Sequence, residues 1–201
     1  MIGNILTDKK QFWKNVWDSK GASDSADLLF LDGYDHLDIP FDSKQICDRI
    51  IELTNTKARS SILEVGCGAG FLARELQHYQ YVGIDYSQSL IDKHLYLFPA
   101  HKVSMSEANC LPFKDGSFDL VFSFGVFQYF PNKTYADESI AEMCRVSNDI
   151  VFLGDLKAQA TRDTHFVYPL EELNQNNYDT SPCIYDPKNK DRFNISLRKS
   201  L

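Results

Sequence analysis

Two carboxylates and three glycines carry the chemistry that is legible in this chain. Glu64 stands just ahead of Gly66, Gly68 and Gly70 in the run Ser61-Ile62-Leu63-Glu64-Val65-Gly66-Cys67-Gly68-Ala69-Gly70-Phe71-Leu72. Asp85 closes a second apolar run, Tyr81-Val82-Gly83-Ile84-Asp85. Glycine has no Cβ, so a turn built from it can bend sharply and bring its backbone against a ligand. A carboxylate ending the neighbouring strand can accept both hydroxyls of a ribose, and a hydrogen bond to a charged group contributes about 1.5–3 kcal/mol. A dinucleotide turn reads G-x-G-x-x-G and lays a pyrophosphate on a helix N-terminus. Here the pattern is G-x-G-x-G, and Glu64 would repel a pyrophosphate. The same acid would attract a ligand that carries an ammonium and a sulfonium.

These residues need a sheet to position them. Ile62, Leu63 and Val65 form the short apolar run of a strand covered on both faces. Phe71 to Tyr79, with apolar spacing at Leu72 and Leu76, reads as a helix whose N-terminus points at the turn. Gln88 to Leu97 reads as a helix capped by Ser87, with a short strand within Ala100–Met105 after it. Ser106 to Phe113 is a loop. Ser117 to Ser123 is a fourth, nearly all-apolar strand, and Asp137–Val146 is a helix. A fifth strand lies within Asp149–Leu156. Strands alternating with helices at this spacing signal a parallel sheet, whose ligands bind beyond the carboxyl ends of the strands. The tail changes character. Pro169–Asn174 reads as a short helix, and Cys183–Asp186 and Arg192–Leu197 flank a Pro-Lys-Asn-Lys turn as a hairpin. The expected fold is a single-domain Rossmann-like α/β sheet, mostly parallel, with a C-terminal antiparallel hairpin and helices on both faces.

Two segments precede the sheet. Phe12, Trp13, Val16 and Trp17 share one face of a helix over Thr7–Ser19, with Thr7 or Asp8 at its start. This is an amphipathic helix packed on the domain or an aromatic lid over a ligand. Phe41–Leu53 reads as a helix with a stripe of Ile46, Ile50 and Leu53, capped by Asp42 or Ser43. Between them, Leu31 to Asp38 is dense in polar and aromatic groups.

Taken in order, these motifs resemble the class I S-adenosylmethionine-dependent methyltransferases of the small-molecule type. Glu64 to Gly70 is similar to the first motif of that family. Gly83-Ile84-Asp85-Tyr86-Ser87 looks like its ribose-binding strand end. Glu107-Ala108-Asn109-Cys110-Leu111-Pro112-Phe113 resembles its "D-A-x-x-L-P-F" loop, with Glu107 where Asp is usual, and Ser117 to Val121 matches its fourth strand. The resemblance spans roughly Ser60 to Leu173. It implies S-adenosyl-L-methionine as methyl donor, with S-adenosyl-L-homocysteine as product. It places the methionine part over Gly66, Gly68 and Gly70 beside Glu64, the ribose on Asp85, and the adenine along Tyr86 with Ser106, Glu107 and Ala108 at its edge. Ser123, with Phe124 and Gly125, lines the methionine side. Asp119 is structural in this family, and Tyr129 stands where many relatives carry a histidine.

Methyl transfer asks mainly for in-line positioning in a dry site. A hydroxyl acceptor would gain from a base, for which His165, Tyr129, His36, Tyr34 and Tyr168 are candidates. Each has a bland alternative as a loop or packing residue, and Phe124, Phe127, Tyr129 and Phe130 are an acceptor pocket or core. Residues 1–59 are expected to form the lid and acceptor side, and residues 60–201 the core.

Composition bounds the rest. The 201 residues carry a formal charge of −7, which disfavours a nucleic-acid backbone as the main partner and leaves a small-molecule or glycan-like acceptor. The five cysteines are scattered singly with no C-x-x-C, so reduced thiols are expected rather than disulfides or a metal site. The first residues do not read as a signal peptide, and no apolar run approaches a membrane span, which points to the cytoplasm. Two rival functions stay open: a non-catalytic S-adenosylmethionine-binding module, and an NAD-dependent oxidoreductase, which Glu64 opposes.

Overall fold

A computed structural model describes residues 2–35, 41–169, 171 and 178–199. Seven strands form one sheet: β1 (Ser61–Val65), β2 (Gln80–Asp85), β3 (Val103–Met105), β4 (Phe118–Phe124), β5 (Ser147–Lys157), β6 (Tyr178–Pro182) and β7 (Arg192–Arg198). Their order is β3-β2-β1-β4-β5-β7-β6. The first five are parallel to one another, and β7 joins β5 antiparallel, with β6 antiparallel beside it. The strand order reverses between β1 and β4, so a crevice opens above their carboxyl ends, the switch point of an open α/β sheet.

Burial on both faces explains the apolar runs. Ile62 packs with Ile46, Ile50, Leu120 and Phe152 under helix α3 (Ser43–Thr54). Its neighbour Leu63 points to the other face and packs with Val121, Ile140 and Met143 under helix α5 (Lys133–Val146). Asp42 caps α3 through the Lys44 and Gln45 N–H groups, and Ser87 caps helix α4 (Gln88–Leu97) through Leu90 N–H. α5 begins earlier than its apolar pattern, at Lys133, because Asn132 accepts the Tyr135 N–H. No helix among the described residues is long and apolar enough to cross a membrane.

Three sequence expectations are corrected. The helix over Phe71–Tyr79 is absent, and a 3-10 turn at Ala73–Glu75 stands in its place. The nine residues from Phe71 to Tyr79 must travel back along a five-residue strand, about 16 Å at 3.3 Å per residue. An α-helix rises only about 1.5 Å per residue, which leaves nothing for its two loops, while a 3-10 turn rises about 2 Å. The hairpin partner of β7 is Tyr178–Pro182 rather than Cys183–Asp186, with Pro182 opposite Phe193. The prolines at 182 and 187 explain the shift, because a residue without an N–H is confined to the end or edge of a ladder. The N-terminal helix α1 runs Ile2–Gly21, so neither Thr7 nor Asp8 stands at its start. The short helix expected over Pro169–Asn174 falls largely outside the described residues, as does His36.

Candidate active site

The glycine turn behaves as its composition requires. Gly66, Gly68 and Gly70 all have positive φ, at 84°, 49° and 103°. A Cβ on Gly66 would meet the Val126 side chain at 2.5 Å, and one on Gly68 would run into the Asp32 carboxylate. Gly70 serves a different neighbour, since its Cβ would sit 3.0 Å from His94 and Phe98. Gly66 and Gly68 thus line the crevice, while Gly70 lets α4 approach the turn.

A cavity opens over this turn. Its wall includes Glu64, Gly66, Gly68, Asp85, Tyr86, Ser106 and Ala108, all expected from the sequence. Tyr129, Phe124, Gly125 and Phe130 close the side beyond β4. Three expected residues stand outside the wall: Gly70, Ser123 and Glu107. Ser123 is buried, and its hydroxyl has no partner among the described residues. Glu107 is drawn off by two other groups, with Lys10 Nζ 2.8 Å from Oε1 and the Tyr135 hydroxyl donating to Oε2 at 2.6 Å. The extra methylene of Glu over Asp gives it that reach.

The carboxylates are pre-positioned by backbone donors. Asp85 accepts the Ser87 N–H on Oδ1 at 2.9 Å and the Gly68 N–H on Oδ2 at 3.1 Å. Burial raises its pKa to about 6 against these stabilising bonds. Glu64 accepts the Tyr81 hydroxyl at 2.7 Å, and burial pushes its carboxyl well above the usual range. No local sequence pattern marks the third acid, Asp32. It follows the one-turn helix α2 (Leu28–Leu31) and accepts the Ala69 N–H at 2.6 Å and the Phe71 N–H at 2.9 Å. Burial, with the charge of Asp85 adding to it, lifts Asp32 to about 7. Three acids, two of them buried, therefore share a wall whose one basic side chain among the described residues is Lys10, itself paired with Glu107.

α1 straps across this cavity. Trp17 is in its wall, the Ser87 hydroxyl donates to Asp18 at 2.6 Å, and the Trp13 indole donates to the Thr164 carbonyl at 3.1 Å. The base candidates separate here. Tyr129 lies in the wall, edge-on to Trp13 and Trp17, and burial raises its hydroxyl to about 12. Tyr34 also lies in the wall, its hydroxyl 3.4 Å from the Phe124 carbonyl, and burial holds its pKa high. His165 is outside the wall, stacked on Trp13 with its Nδ1 3.0 Å from Thr161 Oγ1. Tyr168 donates to Asp137 at 2.7 Å, away from the cavity. Phe127 packs in the core under α5.

Residues 63–149 match the family model described as "Methyltransferase domain". Over 94 residues the chain is 31% identical to the Bos taurus protein named "Probable tRNA methyltransferase 9B", a match covering 47% of this chain and 20% of that protein. The chain thus spans about a fifth of the length of the curated relatives it matches. Among solved structures, magnesium protoporphyrin IX methyltransferase from Synechocystis PCC 6803 with bound S-adenosylmethionine aligns over 96% of this chain and 97% of that one, with a TM-score of 0.65 and 12% identity. Haemonchus contortus phosphoethanolamine N-methyltransferase 1, in complex with phosphoethanolamine and S-adenosylhomocysteine, aligns with a TM-score of 0.71 and 14% identity over 94% of this chain and 48% of that one. A [4+2]-cyclase, SpnF, shares the fold at a TM-score of 0.62 and 19% identity over 79% of this chain and 81% of that one.

Proposed function

We propose that this chain, which carries a class I S-adenosylmethionine-dependent methyltransferase domain, moves a methyl group from S-adenosylmethionine to a small-molecule acceptor. One observation carries the reading. Asp32, Glu64 and Asp85 stand together on one cavity wall, where a pyrophosphate would be repelled and a sulfonium with an ammonium would be held. The donor fits this set: two glycines clear the turn, and the acids supply charge of the opposite sign.

When bound, S-adenosylmethionine supplies a methyl group already activated by its positive sulfur. The chain's own work is then binding, orientation and exclusion of water. Asp85 offers the remaining lone pairs of its oxygens to ribose hydroxyls, and Tyr86, Ser106 and Ala108 flank the adenine. Asp32 and Glu64, both raised by burial, would be drawn toward their ionised forms by the cationic methionine part beside them. α1, through Trp13 and Trp17, forms the lid, so residues 1–59 supply the lid and acceptor side over the core of residues 60–201. Tyr129 and Tyr34 are the wall groups that could orient an acceptor hydroxyl or amine, and neither is acidic enough to serve as a base at neutral pH.

Calorimetry with S-adenosylhomocysteine and NAD separates the donor classes, with binding of the first alone expected. Turnover follows from transfer of labelled methyl to a panel of acceptors. A neighbour named as a cyclase makes that second measurement necessary, because the fold alone does not fix the reaction. Background turnover across the panel with binding intact would leave a non-catalytic binding module. The curated relatives named for tRNA suggest RNA as an acceptor, and the net charge of −7 weighs against it. A gel shift with tRNA would decide that point.

A further inference from the structure

The carboxyl end of β5 and the start of β7 gather charges that donor binding leaves unused. Asp155 is 4% exposed and holds φ at 58°, a left-handed conformation that non-glycine residues seldom adopt. It sits where the β5–β7 register shifts, between Leu153 and Leu156. Three groups fix it there. Its N–H donates to Asn194 at 3.1 Å, the Tyr185 hydroxyl donates to Oδ1 at 2.6 Å, and Arg192 Nη1 pairs with Oδ2. Arg192 is held in return. Its side chain is 14% exposed, and its hydrogen bonds among the described residues all leave from Nη1, to the Asp155 carboxylate and carbonyl. Half of a planar fork made for oxyanions is unspent.

Directly across the ladder from Arg192 stands Lys157, 8% exposed. Opposed residues in an antiparallel pair point to one face, and like charges in that arrangement destabilise a sheet. Lys157 donates to Thr161 Oγ1 at 2.6 Å, a neutral partner. Burial, then the repulsion of Arg192, lowers its pKa to about 8, and Arg162 on the following loop adds to that repulsion. Asp155 is the buried acid beside this pair, so the cations outnumber it. Asp155, which holds Arg192, lies next to the donor cavity. A Cβ on Gly125, in the cavity wall, would be 2.8 Å from the Tyr34 hydroxyl and 3.6 Å from Asp155 Oδ2.

We propose that Lys157 and Arg192 seat an anionic group of the methyl acceptor, a carboxylate or a phosphate ester, with Asp155 as the residue that positions Arg192. The two cations pull the acceptor's charged end away from the acidic donor wall, and its nucleophile then faces across Tyr34 and Tyr129. This rests on the reading of the cavity as the donor seat.

The probe is inorganic phosphate titrated into the full chain with S-adenosylhomocysteine present, followed by calorimetry and thermal shift. Wild type is expected to bind phosphate, and Lys157→Gln to weaken that binding at least fivefold while leaving S-adenosylhomocysteine affinity within twofold. Lys157→Gln should also melt higher than wild type without phosphate, because it removes a like-charge clash, and should lose the phosphate-dependent rise. A purely structural lysine would melt lower when replaced. Arg192→Lys keeps a charge for Asp155 but lacks the fork, and is expected to bind phosphate more weakly. Wild type that binds no phosphate, or equal binding in both variants, overturns the proposal. Failure of S-adenosylhomocysteine to bind would instead remove the donor reading, and the phosphate titrations would then be read on the ligand-free chain.

Discussion

The carboxylate of Asp32 accepts the N–H of Ala69 at 2.6 Å, a bond across 37 residues of sequence that ties the segment after α1 to the glycine turn. With the Phe71 N–H on its other oxygen, Asp32 takes the place that a helix N-terminus would have filled. The turn loses a positive helix end and gains a negative charge, which changes what it can bind. Asp32→Asn keeps the size and one acceptor but removes the charge. It is expected to weaken S-adenosylmethionine binding at least tenfold in calorimetry, with a melting temperature within a few degrees of wild type. Unchanged affinity would remove Asp32 from the donor site.

The same acids give the site a pH dependence. Asp32 titrates at about 7 and Asp85 at about 6, both above the ordinary aspartate value because of burial. A cationic ligand favours their ionised forms and pulls both pKa values down. Donor affinity should therefore rise between pH 5.5 and 7.5, by about tenfold or more, and binding near pH 6.5 should release protons. Calorimetry in two buffers of different ionisation enthalpy reads that release directly. Affinity flat across this range would mean that the acids do not face the ligand's charge.

Asp85→Ala tests the ribose assignment. The substitution removes a carboxylate that holds the Gly68 and Ser87 N–H groups and offers its remaining lone pairs to the ligand. A loss of at least tenfold in S-adenosylhomocysteine affinity is expected, the worth of one to two charge-assisted hydrogen bonds.

Gly68 and Asp32 should be coupled. A Cβ at Gly68 meets the Asp32 carboxylate and is also strained by the φ of 49°. Gly68→Ala is expected to lower both stability and donor affinity. In an Asp32→Ala background the clash is gone and only the strain remains, so the stability cost of Gly68→Ala should shrink by about 1 kcal/mol or more. Equal costs in both backgrounds would mean that the turn gives way without touching Asp32.

What the sequence made legible was local. The strand, the glycines and Asp85 declare themselves because a turn needs φ values that glycine alone adopts readily, and because a strand end lies a fixed distance from its neighbour. Asp32, Asp155 and Arg192 left no local pattern. Each acts through a partner 37 residues away in the chain, and only the folded sheet brings those pairs together. Glu107 stands outside the cavity wall for a related reason: it is held by Lys10 on α1 and Tyr135 on α5, which no spacing within its own loop reveals. The missing helix after Gly70 had the right residue types, and the length of β1 ruled it out.

Behind the turn, His94 ties α4 to it, with Nδ1 3.0 Å from the Gly68 carbonyl and Nε2 2.9 Å from His101 Nδ1. Burial lowers the His94 pKa to about 4, and burial lowers His101 as well. A histidine kept neutral in the fold contributes stability that is present above its unfolded pKa of about 6.5 and is lost as pH falls towards 4. The full loss is of order 3 kcal/mol, for a pKa lowered from 6.5 to about 4. Asp32 and Asp85 act in the opposite sense. Raised acids hold protons in the fold, so their contribution is largest at low pH and falls as pH rises through about 6 to 7. The ligand-free chain will therefore show a flattened profile, and the informative quantity is the difference from His94→Gln, in which the acids remain. Wild type should lose stability relative to that variant as pH drops from 6.5 to 4, measured by urea unfolding at each pH. If the two curves run parallel, His94 is protonated in the fold, and its bond to the Gly68 carbonyl is that of a cation.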